Sequence, residues 1–128
     1  MNHKTYTLLG DPMPLARARF GNGCVYDSQK TAKLVIGIEL QNQHDGLPIL
    51  EGPLALDIIF FMAIPKTKLK KIKPGSPHTC KPDASNLLKF YEDVATSILF
   101  NDDAQISHIT IKKIYDTNPR TEFKVYQI

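Results

Sequence analysis

The segment KPDASNLLKFYEDVATSILFNDDAQI, residues 81–106, contains five of the thirteen acidic residues of this 128-residue chain. Asp83 precedes a run with helical spacing, and Asp102 and Asp103 follow that run. Carboxylate oxygens are the ligands that hard divalent cations such as Mg²⁺ prefer. If both ends of the helix approach one neighbouring strand, these carboxylates can hold metal ions for phosphodiester cleavage.

The residues directly before this acidic segment are cationic. Residues 65–82 contain six lysines and no acid, whereas residues 83–103 contain five acids and one lysine. Such a separation of charge indicates a site that binds a polyanion, although a solvated loop is the alternative interpretation. The candidate phosphate contacts are Arg17, Arg19, Lys66, Lys68, Lys70, Lys71, Lys73 and Lys81.

Length and composition indicate one domain spanning residues 1–128. Hydrophobic residues make up 42% of the chain, enough for a single core. No apolar run is long enough to cross a bilayer, and the first fourteen residues lack the apolar stretch of a secretory signal. We therefore expect a soluble cytoplasmic protein with no membrane partner.

The hydrophobic pattern predicts the element order β, α, β, α, β, β. Residues 4–9 alternate as a strand, residues 10–23 have the glycines and prolines of a loop, and residues 26–43 indicate a helix capped by Asp27 or Ser28. The apolar side of this helix is predicted to contain Val35, Ile36, Ile38 and Leu40.

The second half of the chain contains the most strongly patterned elements. Residues 53–65 form a proline-bounded apolar run, which predicts a central strand buried on both faces. The lysine-rich residues 65–82, with two internal prolines and a glycine, predict a mobile loop. Residues 104–116 and 120–128 then predict two strands joined as a hairpin by the residues TNP.

Residues 84–99 give the clearest helical pattern. Leu87, Tyr91, Val94, Ala95 and Ile98 share one side, and Asn86, Lys89 and Asp93 share the opposite side. Lys89 could offset charge on a phosphate oxygen or orient the attacking water. A purely structural interpretation is also open, in which Asp83 and Ser85 cap the helix and Asp102 and Asp103 form a turn.

These residues resemble the RusA-type Holliday junction resolvases. The match rests on KPDASNLLK, an aspartate four residues after the lysine, and the later DDAQI. It extends to the N-terminal GDPMPLARARF, the following VYDSQKTAKLV and the closing ITIKKIYDTNPRTEFKVYQI. The resemblance therefore covers most of the chain and combines about seven polar positions at fixed spacing.

The resemblance implies an α/β (α+β) homodimer with a small mixed sheet of about four strands and two main helices. It implies Mg²⁺-dependent cutting of four-way DNA junctions in recombination and repair, with Mn²⁺ as a substitute. Asp83 and Asp103 match catalytic, metal-binding aspartates, and Lys89 matches the catalytic lysine. Asn86, Asp93 and Asp102 match positions beside the site.

Ser85 departs from the pattern, because it lies where the family has a second catalytic aspartate. A hydroxyl brings no charge and is a poorer metal ligand than a carboxylate. Ser85 could bind a water while Asp93 or Asp102 supplies the carboxylate, it could only cap the helix, or the protein could bind junctions without cutting them. The sequence is also compatible with a less selective nuclease and with a protein-only scaffold.

Overall fold

The computed structural model describes residues 4–17 and 19–128, except for the side chain of Arg19. Short 3-10 turns occur at Lys66–Lys68 and Asp103–Gln105, and neither helix in these ranges is long and apolar enough to cross a membrane. The predicted order of two helices and four main strands is confirmed. Within the described ranges the elements are β1 Thr5–Leu9, β2 Arg19–Gly21, β3 Cys24–Tyr26, α1 Lys30–Gln43, β4 Leu54–Ala63, α2 Ala84–Ala95, β5 Ile106–Asp116 and β6 Arg120–Gln127.

The four long strands form one mixed sheet in the order β1-β6-β4-β5. Strand β4 is central, antiparallel to β6 and parallel to β5, so the predicted fold class is confirmed. The prediction that β4 is buried on both faces is wrong. Ile58 and Phe60 are buried in the core, whereas Asp57 and Ile59 on the opposite face are only partly covered. The core joins both helices to one face of the sheet, which leaves the other face open.

The predicted pairing of the last two strands is also wrong. Strands β5 and β6 are not neighbours, because the apolar β4 lies between them and pairs with both. Arg120 supports the short crossing between them. Its guanidinium donates to Asp116 at 2.5 Å and to the carbonyl of Asn118 at 2.8 Å, and it lies 3.7 Å from the ring centroid of Phe61 on β4.

Strands β2 and β3 form a small antiparallel hairpin. It begins in the segment predicted as a loop, residues 10–23, and ends at Tyr26, where the predicted helix begins. Asn22 and Gly23 have φ values of 52° and 76° between the two strands. A two-residue turn with both φ values positive matches the right-handed twist of a hairpin, which explains why Asn-Gly is favoured there. These two strands were not predicted, because each contains only three residues.

Helix α1 begins later than predicted. Its N-cap residue is Gln29, so the predicted caps Asp27 and Ser28 are wrong. Asp27 instead accepts hydrogen bonds from the Gln29 amide and the Lys33 ammonium. The predicted apolar side is only partly correct.

Apolar residues occur all around α1, so their spacing did not select the packed face. Leu40 is fully buried and Ile36 packs against the core. In contrast, Val35 and Ile38 are about half exposed, at 59% and 49%.

Helix α2 packs against the sheet through the predicted face. Leu87, Tyr91, Val94 and Ala95 are buried, and Ile98 packs partly against the core beyond the helix end. The helix ends at Ala95 rather than Leu99. The Thr96 hydroxyl donates to the carbonyl of Glu92 at 2.7 Å, and Ser97 takes a left-handed φ of 74°. This local bonding turns the chain away from the helix axis.

The lysine-rich segment is anchored at its second half. The amide of Gly75 donates to Tyr115, the amide of Tyr115 donates to Ser76, and the amide of His78 donates to Lys113. These bonds attach the chain to the outer edge of β5. The predicted mobility of residues 65–82 stays a prediction, and the lysines of the first half lie on the part without these bonds.

Candidate functional site

Asp83 lies at the N-cap position of α2, but its carboxylate makes no capping hydrogen bond. Its carbonyl accepts hydrogen bonds from the amides of Asn86 and Leu87, each at 3.1 Å. The side chain is 63% exposed and its Oδ1 lies 3.3 Å from the ammonium of Lys81. The backbone of Asp83 therefore starts the helix, while its carboxylate faces solvent and can accept a further cation.

The N-terminal loop lies along the start of α2. The amide of Leu15 donates to the carbonyl of Asn86, and the amide of Met13 donates to the hydroxyl of Tyr91. The Gln29 side chain bonds both the amide of Ala16 and the carbonyl of Pro14. Arg17 is exposed and follows Leu15 by two residues on this loop.

Ser85, Lys89 and Glu92 follow each other at i, i+4 and i+7 on α2, so they share one side of the helix. Glu92 is partly buried, and burial raises the pKa of its carboxyl. Asp103 and Asp93 raise the pKa further, whereas Lys89 opposes them. Asp103 therefore lies close enough to Glu92 for the two carboxylates to repel each other.

Asp102 and Asp103 lie in a turn, as the structural interpretation predicts, and Asp102 is the N-cap residue of that turn. Its side chain accepts from the amide of Ala104 at 2.9 Å, and Gln105 accepts from the amide of Asp102 at 3.0 Å. Together these bonds form a capping box. Asp103 is exposed at the start of the same turn. Of the two aspartates, Asp103 is thus the one with its carboxylate uncommitted to the cap.

Asp93 forms an ion pair with a lysine of α1. Its carboxylate lies 3.5 Å from the ammonium of Lys33, which also binds Asp27 at 2.7 Å. Burial alone would lower the pKa of Lys33, but Asp27 and Asp93 together hold it above its usual value. This ion pair joins the two helices and gives the Asp93 carboxylate a partner on α1. The predicted grouping of Asp93 with Lys89 and Asn86 stays a prediction.

The carboxylates of Asp83, Glu92 and Asp103 form a strip along α2 rather than one compact cluster. From Asp83 to Glu92 the helix rises about 13 Å, at about 1.5 Å per residue. In residues 4–17 and 19–128, no three Asp, Glu, His or Cys side chains lie close enough to hold one metal ion. Mg²⁺ at phosphate sites is commonly held by one or two carboxylates with water and substrate phosphates. The exposed carboxylates of Asp83 and Asp103 fit that mode of binding.

The predicted phosphate contacts are exposed wherever the structure describes them. Arg17 lies on the loop beside α2, and the lysines occupy the segment that leads into Asp83. Arg19 belongs to β2, but its side chain lies outside the described residues. The exposed lysines of this segment are Lys66, Lys68, Lys70, Lys71, Lys73 and Lys81.

Two residues near the site were not predicted as part of it. Glu92 is one of the five acids of its segment, and its helical spacing from Ser85 and Lys89 was a usable signal. Lys113 donates to the carbonyls of Cys80 and Pro82, each at 2.7 Å. Lys113 could have been noticed from the strand pattern, because every second residue of a strand faces the same side. Lys113 therefore shares a face with the apolar Ile109 and Ile111.

The fold and the site define a small α+β protein with exposed carboxylates beside a cationic segment. The family described as "Endodeoxyribonuclease RusA" matches residues 10–126. The chain therefore belongs to the RusA family, which confirms the predicted resemblance.

Two related proteins match this chain at different coverage. "Uncharacterized protein YqaN" of Bacillus subtilis (strain 168) is 27% identical over 135 residues, covering 96% of this chain and 95% of that protein. "Crossover junction endodeoxyribonuclease rusA" of Lactococcus phage r1t is 32% identical over 77 residues. That match covers 59% of this chain and 56% of the phage protein.

Proposed function

We propose that this protein is a cytoplasmic endonuclease that cuts four-way DNA junctions in recombination and repair, with Mg²⁺ or, in its place, Mn²⁺. The observation that carries this proposal is the exposed, uncapped carboxylate of Asp83 directly after a segment with six lysines. Membership of an endodeoxyribonuclease family supports the reaction class. The name of the phage relative supports a crossover junction as the substrate.

Each residue of the proposed site has a role that its position allows. Asp83 and Asp103 would each contribute a carboxylate to the binding of divalent cations, which would supply charge neutralisation at the scissile phosphate. Lys89, exposed in the middle of α2, stabilises charge that develops on a phosphate oxygen or orients the attacking water. Asn86 supports the first turn. Asp93 and Asp102 already have partners, so we assign them positioning roles.

The cationic residues would bind the DNA backbone. Lys81 lies 3.3 Å from Asp83, so a phosphate bound there would be close to the proposed cleavage site. Arg17 is exposed on the N-terminal loop, which is bonded through Leu15 to Asn86 in the first turn of the same helix. The proposed phosphate contacts are Arg17, Arg19, Lys66, Lys68, Lys70, Lys71, Lys73 and Lys81.

We also propose a homodimer, because a symmetric pair presents two sites to the opposed strands of a junction. Helix α1 exposes Leu34, Val35 and Ile38 beside a groove that continues onto Val94 of α2. These exposed apolar side chains, beside a groove that is also lined by Lys30, Lys33 and Asp93, are a suitable interface between two copies.

Ile38→Glu is expected to dissociate the dimer, because it places a charge in the proposed apolar interface. Light scattering would show the mass falling from twice the 14.4 kDa chain toward a single chain. Leu47→Glu is the matched control, since Leu47 is similarly exposed, 46% against 49%, but lies beyond the end of α1. An unchanged dimer in Ile38→Glu would place the interface elsewhere.

The second candidate function is junction binding without cleavage. It is favoured by the uncharged Ser85 at a catalytic position and by the separation of the carboxylates into a strip. Under this alternative the lysine segment binds branched DNA with strong salt dependence, but no strand is cut in Mg²⁺ or Mn²⁺.

Ser85→Asp is expected to increase junction cleavage by about ten-fold, because it adds a carboxylate beside Asp83 and Lys89. Wild type and variant would be assayed on a labelled four-way junction in Mg²⁺, with Ser85→Asn as the uncharged control. Flap and linear duplex substrates would show whether cleavage is selective for junctions. Cleavage by Ser85→Asp and none by the wild type would establish the second candidate function instead.

A further inference from the structure

We propose that Lys113 is a positioning residue that holds Asp83 where it can bind a divalent cation. This inference rests on the proposed function and extends its site to β5. Lys113 lies thirty positions after Asp83, and its ammonium donates to the carbonyls of Cys80 and Pro82, each at 2.7 Å. The Pro82 carbonyl belongs to the peptide that directly precedes Asp83.

The strand register explains why a lysine reaches this place. Lys113 pairs with Phe60 of β4, whose side chain is fully buried beneath the helices. Paired residues on neighbouring strands point to the same face, so Lys113 lies on the helix-covered side. Its neighbour Lys112 points to the open face and is exposed. Of these two adjacent lysines, only Lys113 can reach the chain that enters α2.

The two bonds made by Lys113 are charge-assisted, which makes them stronger than bonds between neutral groups. They fix the carbonyls at both ends of the Cys80–Pro82 turn. The carbonyl of Asp83 itself is fixed by the amides of Asn86 and Leu87. The backbone of Asp83 is therefore held on both sides, while its carboxylate stays exposed.

The contacts around Lys113 favour a positioning role. The amide of His78 donates to the carbonyl of Lys113, and the rings of His78 and Tyr115 lie 4.7 Å apart. Burial, together with the charge of Lys113, lowers the pKa of His78. The lowered pKa favours the neutral form of the His78 imidazole beside the Lys113 charge.

The test measures Mn²⁺ binding directly, by isothermal titration of Mn²⁺ into metal-free protein without DNA. Residues that orient metal ligands typically change metal affinity by about 10- to 100-fold when replaced. Lys113→Met is expected to weaken Mn²⁺ binding by about ten-fold. Lys112→Met removes the same charge from the same strand and is expected to change it by less than about two-fold.

A double-mutant cycle shows whether Lys113 acts through Asp83. In the Asp83→Asn background, Lys113→Met should change Mn²⁺ affinity by less than about two-fold, because the positioned ligand is already lost. Lys113→Gln, which is uncharged and shorter, replaces Lys113→Met if that variant fails to fold, and the same loss is expected.

The possible results separate this inference from the proposed function. Equal Mn²⁺ affinity in wild type and Lys113→Met would overturn the inference but leave the proposed function standing. The same result would follow if Lys113→Met weakened Mn²⁺ binding as much in the Asp83→Asn background as in the wild type. Absence of Mn²⁺ binding by the wild type would overturn the proposed metal site as well. Loss of affinity in Lys112→Met equal to that in Lys113→Met would indicate a general effect of charge and also contradict the inference.

Discussion

Asp103→Asn is expected to lower the rate of junction cleavage by at least about 100-fold, equivalent to about 2.7 kcal/mol of transition-state stabilisation. The replacement removes the charge of a proposed metal ligand but keeps the shape of the side chain. Asp103 is exposed, and the capping box at that turn is formed by Asp102 and Gln105 instead. The fold and the affinity for junctions should therefore be retained. Cleavage would be followed under single-turnover conditions, and junction binding would be measured separately in Ca²⁺.

Asp102→Asn is the matched control for Asp103→Asn. Asparagine is as good an N-cap as aspartate, so the turn should remain intact. If Asp102 acts only as a cap, this variant should cleave junctions at nearly the wild-type rate. Wild-type cleavage by Asp103→Asn together with a large loss in Asp102→Asn would reverse the roles assigned to the two aspartates.

Thermal stability gives a second readout for Asp103→Asn. Burial, Asp103 and Asp93 together raise the pKa of Glu92, so the ionised form of Glu92 is disfavoured in the folded protein. Removing the charge of Asp103 should raise the melting temperature at pH 7 in metal-free buffer. Because the site is largely exposed, the gain should be less than about 1 kcal/mol. It should disappear as the pH falls below the raised pKa of Glu92. A lower melting temperature at pH 7 would instead assign Asp103 a structural role.

The elements that were predicted correctly are those whose local pattern and packing agree. Helix α2 has one apolar side, and that side is the one buried against the sheet. Strand β4 is a continuous apolar run and occupies the centre of the sheet. In both cases the amount of apolar surface leaves few alternative arrangements.

The predictions that failed depended on pairing between distant residues. The short connection between β5 and β6 indicated a hairpin, but β4 is more apolar than either strand and pairs with both. In α1, apolar residues occur on several sides, so periodicity did not identify the side on which Leu40 packs. The order of strands in a sheet and the packed face of a helix depend on which elements compete for the same partner. A local stretch of sequence carries no information about that competition.

The residues of the candidate site fall into the same two groups: those that a local pattern predicts and those that depend on contacts between distant residues. Asp83, Lys89 and Asp103 could be proposed from residue type and spacing because a short motif contains all three. Residue type and spacing could not predict the pairing of Asp93 with Lys33 or the contacts of Lys113. These contacts join residues that lie 60 and about 30 positions apart in the sequence. Motif spacing therefore predicts candidate site residues, but it does not predict the contacts that hold them in place.

The lysine segment should account for much of the affinity for DNA. Replacing Lys68, Lys70 and Lys71 together by glutamine is expected to weaken junction binding on the order of 100-fold at 0.1 M salt. All three are exposed, and none forms an ion pair in the part of the chain that the structure describes. They are therefore available to replace counterions on phosphates.

The salt dependence of binding tests the mechanism as well as the magnitude. Loss of three phosphate contacts should reduce the slope of log affinity against log salt by about 2.7, at about 0.9 per contact. The matched control replaces Lys4, Lys112 and Lys124 by glutamine, which removes the same net charge from outside the segment. If both triple variants lose affinity and slope equally, DNA binding follows overall charge rather than this segment. A loss confined to the segment variant would place the phosphate backbone along residues 68–71, on the path that leads through Lys81 to Asp83.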